Sequence, residues 1–305
     1  MREINYTASG RILVIGDLTV DIHMEIPEAA PAKVYPGIDL TVVGWPRVGI
    51  GGTAYLFARA IRSMSNYSAA VIGAIGADPF GNAIMDEFQK SGLENTFIQK
   101  DTKSPTPVLP LLGFDDGTRL MARPYREAMP ALDSNTLHAT LSAYSPESFK
   151  LMFISGYSIA TPDLQALKTV HIAADWARSN SIPIIVDLVP HEFAELVGPL
   201  TRVTDLIGKP SGFVAELRTV RGLGLCGPYQ SETDAAEQLR SAAANLAETA
   251  DFAIVQHQLK LSTYAQIYAT PKYVSCMETY EFEPIDRTGL GDRLLVRTLL
   301  LHQVI

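Results

Sequence analysis

A short glycine-rich turn near the end of the chain has the composition of an anion-binding site. Its sequence is Asp286-Arg287-Thr288-Gly289-Leu290-Gly291-Asp292, and the apolar run Leu294-Leu295-Val296 follows almost directly. Two glycines allow a tight backbone turn with exposed amide N–H groups where a helix opens, so the turn can hold a phosphoryl group. Asp292 closes the turn, near enough to take a proton from a hydroxyl that attacks the phosphorus. The alternative is that Asp292 is a helix N-cap and the glycines are ordinary turn residues.

Three further motifs precede this turn. They are Arg11-Ile12-Leu13-Val14-Ile15-Gly16-Asp17 followed by Asp21, Gly51-Gly52 followed by Ala58 in a helical pattern, and Ile72-Gly73-Ala74-Ile75-Gly76-Ala77-Asp78-Pro79-Phe80-Gly81. With these motifs in this order, the chain resembles the ribokinase-like, or PfkB, family of sugar and nucleoside kinases. The family's late signature is Asp-Thr-x-Gly-Ala-Gly-Asp; Arg287 and Leu290 depart from it, while both glycines and both aspartates are kept.

The resemblance spans residues 11–292 and implies a function, a mechanism and a set of site residues. We expect a kinase that transfers a phosphoryl group from a nucleotide to a hydroxyl of a sugar, a nucleoside or a related small molecule, with ATP and Mg²⁺ as cofactors. The expected catalytic residues are Gly289, Leu290, Gly291 and Asp292, with Asp292 as the base. The expected cofactor-binding residues are Arg287 and Thr288. No protein side chain is expected to bind a metal ion directly.

The same resemblance implies an acceptor site in the first half of the chain. The expected substrate-binding residues are Thr19, Asp21, Gly51, Gly52, Leu56, Arg123 and Arg126. Asp21 can accept hydrogen bonds from two sugar hydroxyls at once, although an isolated aspartate after a strand is also a common turn residue. Leu56 replaces the family's asparagine, which makes the expected pocket more apolar. Arg123 and Arg126 either pair with an anionic acceptor or are solvated surface charges.

The second half of the chain departs from the family at the expected ATP site. The stretch that matches the family's Asn-x-x-Glu, residues 210–214, has neither residue, and Glu216 lies two positions late. The stretch that matches Thr-x-Gly-x-x-Gly, residues 256–261, has neither glycine, and the chain stops at Ile305, where relatives continue. Two alternatives to a kinase therefore remain open: a repurposed enzyme on the same fold, and a catalytically inactive protein that binds a small molecule.

The pattern of apolar residues predicts how these motifs are held. Continuous apolar runs predict buried strands at residues 12–15, 70–72, 151–154, 183–186, 204–207 and 252–255. Helical patterns alternate with them at residues 54–64, 83–91, 164–179 and 233–247. This alternation is typical of a parallel sheet covered on both faces, whose ligands bind at the carboxyl ends of the strands.

Family resemblance extends this pattern to a complete architecture. We expect an α/β ribokinase-like three-layer sandwich, with a central, mainly parallel sheet and a small β lid. Residues 1–305 are expected to form a single domain, in which the inserted segments 22–49 and 104–128 form the lid. A homodimer through the lid strands follows by analogy only.

The composition of the chain argues against some classes of binding partner. The formal net charge is −8 and the isoelectric point about 5.3, and no run of lysine and arginine occurs, which argues against nucleic acid as a partner. No apolar run approaches the roughly 18 residues of a membrane span, and the residues before Gly10 contain no long apolar segment of the kind found in a signal peptide. The two cysteines, Cys226 and Cys276, suit reduced thiols and lack the spacing of a metal site. We therefore expect a cytoplasmic protein that acts on a small molecule and contacts neither nucleic acid nor membrane.

Overall fold

The computed structural model describes residues 10–31, 40–115, 118–123, 130–260, 262–281 and 289–305. The strands in these ranges are β1 (Arg11–Ile15), β2 (Thr19–Ile26), β3 (Arg47–Gly51), β4 (Ser68–Gly76), β5 (Ile98–Asp101), β6 (Val108–Phe114), β7 (Arg119–Met121), β8 (Phe149–Ser155), β9 (Ile184–Asp187), β10 (Gly212–Glu216), β11 (Phe252–Lys260), β12 (Thr263–Thr270), β13 (Tyr273–Val274) and β14 (Glu278–Glu281). The helices are α1 (Thr53–Met64), α2 (Pro79–Ser91), α3 (Ser134–Ser142), α4 (Leu164–Ser179), α5 (Phe193–Leu196), α6 (Leu200–Ile207), α7 (Leu217–Gly222), α8 (Glu232–Ala247) and α9 (Leu290–Leu301).

The large sheet is mainly parallel. Within the described residues it has ten strands, and seven of them run parallel in the spatial order β5-β4-β1-β8-β9-β10-β11. β12 continues the sheet antiparallel to β11, and β13 and β14 pair with β12. Along the chain, β4 and β5 are added on one side of β1, and β8 is then added on the other side. This reversal makes a topological switch point beside β1, where α/β sheets commonly bind ligands.

Two hydrophobic clusters cover the two faces of this sheet. Along β1, Leu13 and Ile15 belong to one cluster, and Ile12 and Val14 belong to the other, as the alternation of side chains along a strand requires. All four side chains are at most 1% exposed. The predicted α/β fold with a central, mainly parallel sheet is therefore confirmed.

One predicted strand is wrong. Residues 204–207 lie in α6, where Val203 and Ile207 are buried and stand four positions apart, as on one face of a helix. The next strand is β10, which begins at Gly212 and ends at Glu216. A short apolar run fits a strand and a buried helix face equally well, and here the packing decided.

A second, smaller sheet contains β3, β2, β6 and β7 in that order. β2 pairs antiparallel with β3 and parallel with β6, and β6 pairs antiparallel with β7. These strands overlap the segments 22–49 and 104–128, but β2 begins at Thr19 and β3 extends to Gly51. We call this four-stranded sheet the lid sheet; the assignment of domain boundaries stays a prediction. No helix within the described ranges is long and apolar enough to cross a bilayer.

Candidate active site

A cavity of about 330 Å³ opens at the carboxyl end of β1, at the switch point of the large sheet. Its floor includes Gly16 and Asp17, which follow β1, and Tyr157, which follows β8. The lid sheet contributes Thr19, Asp21, Leu109 and Met121. The cavity therefore lies between the two sheets.

Thr19 and Asp21 lie on β2, and Asp21 is 7% exposed. The Thr19 hydroxyl donates a hydrogen bond of 2.7 Å to Asp21 Oδ1. Burial raises the pKa of Asp21 above its ordinary value, against the opposing effect of this hydrogen bond. A Cβ at Gly51 would lie 2.1 Å from Asp21 Oδ2, so only glycine leaves room for this carboxyl group.

Asp17 lies beside the second glycine and is a site residue to which the sequence gave no role of its own. Gly52 has a φ of 87°, and a Cβ there would lie 2.3 Å from the Asp17 carbonyl oxygen. The Thr53 N–H, at the start of α1, donates a hydrogen bond of 3.1 Å to Asp17 Oδ1. Burial nevertheless raises the pKa of Asp17 above its ordinary value. The double glycine thus lets α1 begin directly against the acid that follows β1.

Asp292 lies in the first turn of α9, and Gly289 is the N-cap with a φ of 69°. The predicted alternative, that Asp292 is itself the N-cap, is wrong. Burial, with an added contribution from the negative charge of Asp17, raises the pKa of Asp292 to about 7. Asp292 is not among the described residues that line the cavity, and a Cβ at Gly289 would lie 3.4 Å from Leu56 Cδ2. Leu56 therefore stands between the cavity and the start of α9, while Asp17 links the two electrostatically.

Two more acids end neighbouring strands of the large sheet, Asp187 on β9 and Glu216 on β10. Burial raises the pKa of Glu216 to about 8. Burial and the charges of Asp292, Glu216 and Asp17 raise the pKa of Asp187 well above its ordinary value. The sequence contains a signal for Asp187, because this acid directly follows a Val- and Ile-rich run. None of the predictions from the sequence uses that signal. Glu216 is two positions late relative to the family's Asn-x-x-Glu motif, yet it lies at the carboxyl end of β10.

The stretch that starts at Gln256 differs from the glycine-containing loop that the family resemblance implies. Residues 256–260 continue β11 and pair with β12. The Gln256 Nε2 donates to the Gly291 carbonyl oxygen over 3.4 Å and to Gln266 Oε1 over 3.2 Å. Gln266 in turn donates to the Leu294 carbonyl oxygen, at 3.3 Å, and to the Thr298 hydroxyl. This buried amide network fixes the first turns of α9 against the β11–β12 hairpin.

Some of the remaining predicted residues lie within the described ranges, and others lie outside them. Arg123 lines the cavity, and its guanidinium carbon lies 4.5 Å from the centroid of the Tyr157 ring. Arg126, Arg287 and Thr288 lie outside the described residues, as do the other residues before Gly289 in its turn.

Mg²⁺ does not fit the carboxylates as they stand. No group of three or more His, Cys, Asp or Glu side chains in the described ranges has the placement of a metal-ion site. Burial raises the pKa of all four acids, Asp17, Asp187, Glu216 and Asp292, and the charges of neighbouring acids raise it further for Asp187 and Asp292. Burial favours the protonated form of a carboxyl group, so it opposes the anionic ligand set that Mg²⁺ needs.

Comparison with solved structures supports the fold over nearly the whole chain. An adenosine kinase from Sinorhizobium meliloti superposes with a TM-score of 0.68 at 17% identity, covering 98% of this chain and 89% of that one. A PfkB family carbohydrate kinase from Listeria grayi gives 0.69 at 14% identity, covering 96% and 88%. A ribokinase from Giardia lamblia gives 0.67 at 14% identity, covering 95% and 84%. At these identities the likeness shows the fold alone.

Sequence comparison gives the family. No curated protein matches the chain significantly. The sequence profile described as pfkB family carbohydrate kinase matches residues 11–211, which is more than half of the chain. The chain therefore belongs to the pfkB family of carbohydrate kinases.

Proposed function

We propose that this protein transfers a phosphoryl group to a hydroxyl of a small molecule, a sugar or nucleoside or a related compound, bound in the cavity between the two sheets. One observation carries the proposal: the carboxyl group of Asp292 has a pKa of about 7 and is coupled to Asp17, which lines the same cavity as Asp21. A general base works best when its pKa lies near the operating pH. Asp292 therefore has the proton affinity that this reaction needs.

The acceptor is held by Asp21, Thr19 and the double glycine. Thr19 occupies Asp21 Oδ1 and fixes the orientation of the carboxyl group, so acceptor hydroxyls donate to Asp21 from the cavity side. Gly51 and Gly52 keep the backbone close to this carboxyl group and to Asp17.

Proton transfer then involves Asp292. As the acceptor oxygen attacks phosphorus, its proton moves to the Asp292 carboxylate, and the bond between phosphorus and the leaving group breaks. Because Leu56 stands between the cavity and Gly289, this step requires the Leu56 side chain to turn aside. The amides of Leu290 and Gly291, at the start of α9, precede the first intrahelical hydrogen bonds and stabilise the charge on the transferred group.

ATP with Mg²⁺ is the proposed phosphoryl donor, and family membership is what supports it. The described carboxylates do not form a Mg²⁺ site, and β11 replaces a glycine-rich loop beside Gly291. No step of the proposal is therefore assigned to the metal ion. Arg287 and Thr288 remain the proposed donor-binding residues.

The test separates the two carboxylates. Phosphoryl transfer from γ-labelled ATP with Mg²⁺ is measured against a panel of sugars, nucleosides and their phosphate esters. We expect Asp21→Asn to raise KM for the acceptor and Asp292→Asn to lower kcat with little change in KM. Equal effects of both variants on KM alone would overturn the role of Asp292.

A second candidate is a binding protein without phosphoryl transfer. It is favoured by Leu56, which stands between the cavity and Gly289, and by the Gln256 network that fills the other side of Gly291. Calorimetric titration distinguishes the candidates: a binder takes up the acceptor but not ATP, ADP or GTP with Mg²⁺ at millimolar concentration, whereas a kinase binds both.

A homodimer through the lid sheet and a cytoplasmic location belong to the same proposal. Support for the dimer comes from exposed apolar side chains in and just before β3, where Trp45 is 93% and Val48 66% exposed. Light scattering of the wild type and of Trp45→Ser tests it, because a dimer through this surface becomes monomeric in the variant.

A further inference from the structure

We infer that the acceptor carries an anionic group, phosphate or carboxylate, and that Arg123 binds it. This inference deepens the proposed function, since it names the chemical class of the molecule that occupies the same cavity. It starts from the position of Arg123 in the lid sheet.

Arg123 stands in a row of three residues across the lid sheet. Asp21 on β2 pairs with Leu109 on β6. Leu111 pairs with Met121 on β7, and the Ala122 N–H donates to the Pro110 carbonyl oxygen, so the same register continued places Arg123 opposite Leu109. Directly paired residues point to the same face of a sheet. All three of Asp21, Leu109 and Arg123 line the cavity, as this requires.

This row has opposite charges at its two ends. Asp21 accepts hydrogen bonds, Leu109 is apolar, and Arg123 is the one cation among the described residues that line the cavity. Neighbouring strands lie about 4.8 Å apart, so the backbones of Asp21 and Arg123 are separated by roughly 10 Å. An acceptor with hydroxyls at one end and an anionic group at the other matches this spacing and this order of charges.

Arg123 is oriented without being neutralised. Its guanidinium lies over the Tyr157 ring at 4.5 Å, and its Nε donates to Met121 Sδ over 3.1 Å. No ion pair within 4.0 Å between described residues includes Arg123. Asp17, the acid whose pKa Arg123 lowers, keeps a pKa above its ordinary value because burial outweighs the arginine. The charge of Arg123 is therefore directed into the cavity and available to a ligand.

Tyr157 explains why an arginine suits this position. A planar guanidinium stacks on an aromatic face while its edge N–H groups remain free to bind both oxygens of a phosphate or carboxylate. A lysine at the same position would keep the charge but lose the planar, bidentate geometry.

The test measures binding without phosphoryl transfer. The probes are matched pairs that differ only in an anionic group: ribose and ribose-5-phosphate, adenosine and AMP, glycerol and glycerate. For the wild type we expect at least one anionic member to bind about tenfold to a hundredfold more tightly than its neutral partner, which is the usual range for one charge-assisted contact. Arg123→Gln removes this preference, and Arg123→Lys retains part of it.

Arg119→Gln is the matched control. Arg119 lies on β7 of the same lid sheet but is not among the cavity-lining residues, so its variant has the same change of charge and keeps the preference. Equal affinity for both members of every pair, no binding of any anionic member at millimolar concentration, or an equal loss in Arg119→Gln would each overturn the inference.

The two proposals fail separately. Phosphoryl transfer to a neutral acceptor, with no preference for anionic probes, removes this inference and leaves the kinase. An Arg123-dependent preference for anionic probes, without phosphoryl transfer to any neutral or anionic compound of the panel, removes the kinase and leaves this inference.

Discussion

Replacement of Asp292 by asparagine is expected to lower activity and to raise stability at the same time. The pKa of Asp292 is raised from 3.8 to about 7, mainly by burial and further by the charge of Asp17. One pKa unit corresponds to about 1.4 kcal/mol, so this shift of roughly three units sets a ceiling of about 4 kcal/mol on the destabilisation caused by the ionised carboxylate. Because Asp292 is partly accessible to solvent, we expect about 1–3 kcal/mol.

The sign follows from proton linkage. At pH values below 3.8 the carboxyl group is protonated in both the folded and the unfolded protein, so the folded state is not penalised. As the pH rises, the unfolded chain ionises first, and the fold loses stability until the pH passes the folded pKa of about 7. The free energy of unfolding of Asp292→Asn should therefore match that of the wild type at about pH 3 and exceed it at pH 8 by about 1–3 kcal/mol.

Loss of the base has a separate, kinetic effect. General-base catalysis typically contributes about a hundredfold to ten-thousandfold to the rate, so kcat of Asp292→Asn should fall by that factor. In the wild type, kcat should rise with pH and level off above the pKa of about 7.

Urea denaturation at two pH values and steady-state kinetics measure both effects on the same samples. Asp205→Asn, an exposed position on α6, is the control and should change neither. A variant Asp292→Asn that keeps more than about a tenth of wild-type kcat would refute the assignment of the base. Equal stability of variant and wild type at pH 8 would refute the buried, proton-holding environment.

Three further predictions rest on the same contacts. Gly51→Ala should raise the dissociation constant of the acceptor at least about tenfold, because its Cβ would lie 2.1 Å from a carboxylate oxygen, whereas Gly49→Ala, with no atom within 4 Å, should bind normally in calorimetry. Glu216→Gln should leave stability unchanged at pH 4 and raise it at pH 9 in urea titrations, because burial raises the pKa of Glu216 to about 8; a lower stability at pH 9 would contradict this. Asp17→Asn removes a charge that raises the pKa of Asp292, so the acidic limb of the kcat profile should move to lower pH by less than about one unit, and a move to higher pH would count against the coupling.

The sequence by itself determined the fold class and the alternation of strands and helices along much of the chain, although residues 204–207 form a helix where a strand is predicted. The continuous apolar run of β1 and the double glycine Gly51-Gly52 before α1 are visible in the sequence. Both patterns can be read there because they reflect local burial and local backbone geometry. The family resemblance named Thr19 and Asp21 as acceptor residues, and the structure shows that both lie on the strand β2. The order of motifs shared with the family then connected these residues with Asp292, which lies far along the chain.

The tertiary structure alone decided what surrounds these residues. Asp17, Asp187 and Glu216 come together because parallel strands bring their carboxyl ends to one edge of the sheet, however distant they are along the chain. The run 204–207 became a helix because α6 buries one face, a choice that apolar composition does not specify. The raised pKa of Asp292 and the stacking of Arg123 on Tyr157 likewise depend on contacts between segments that only folding brings together.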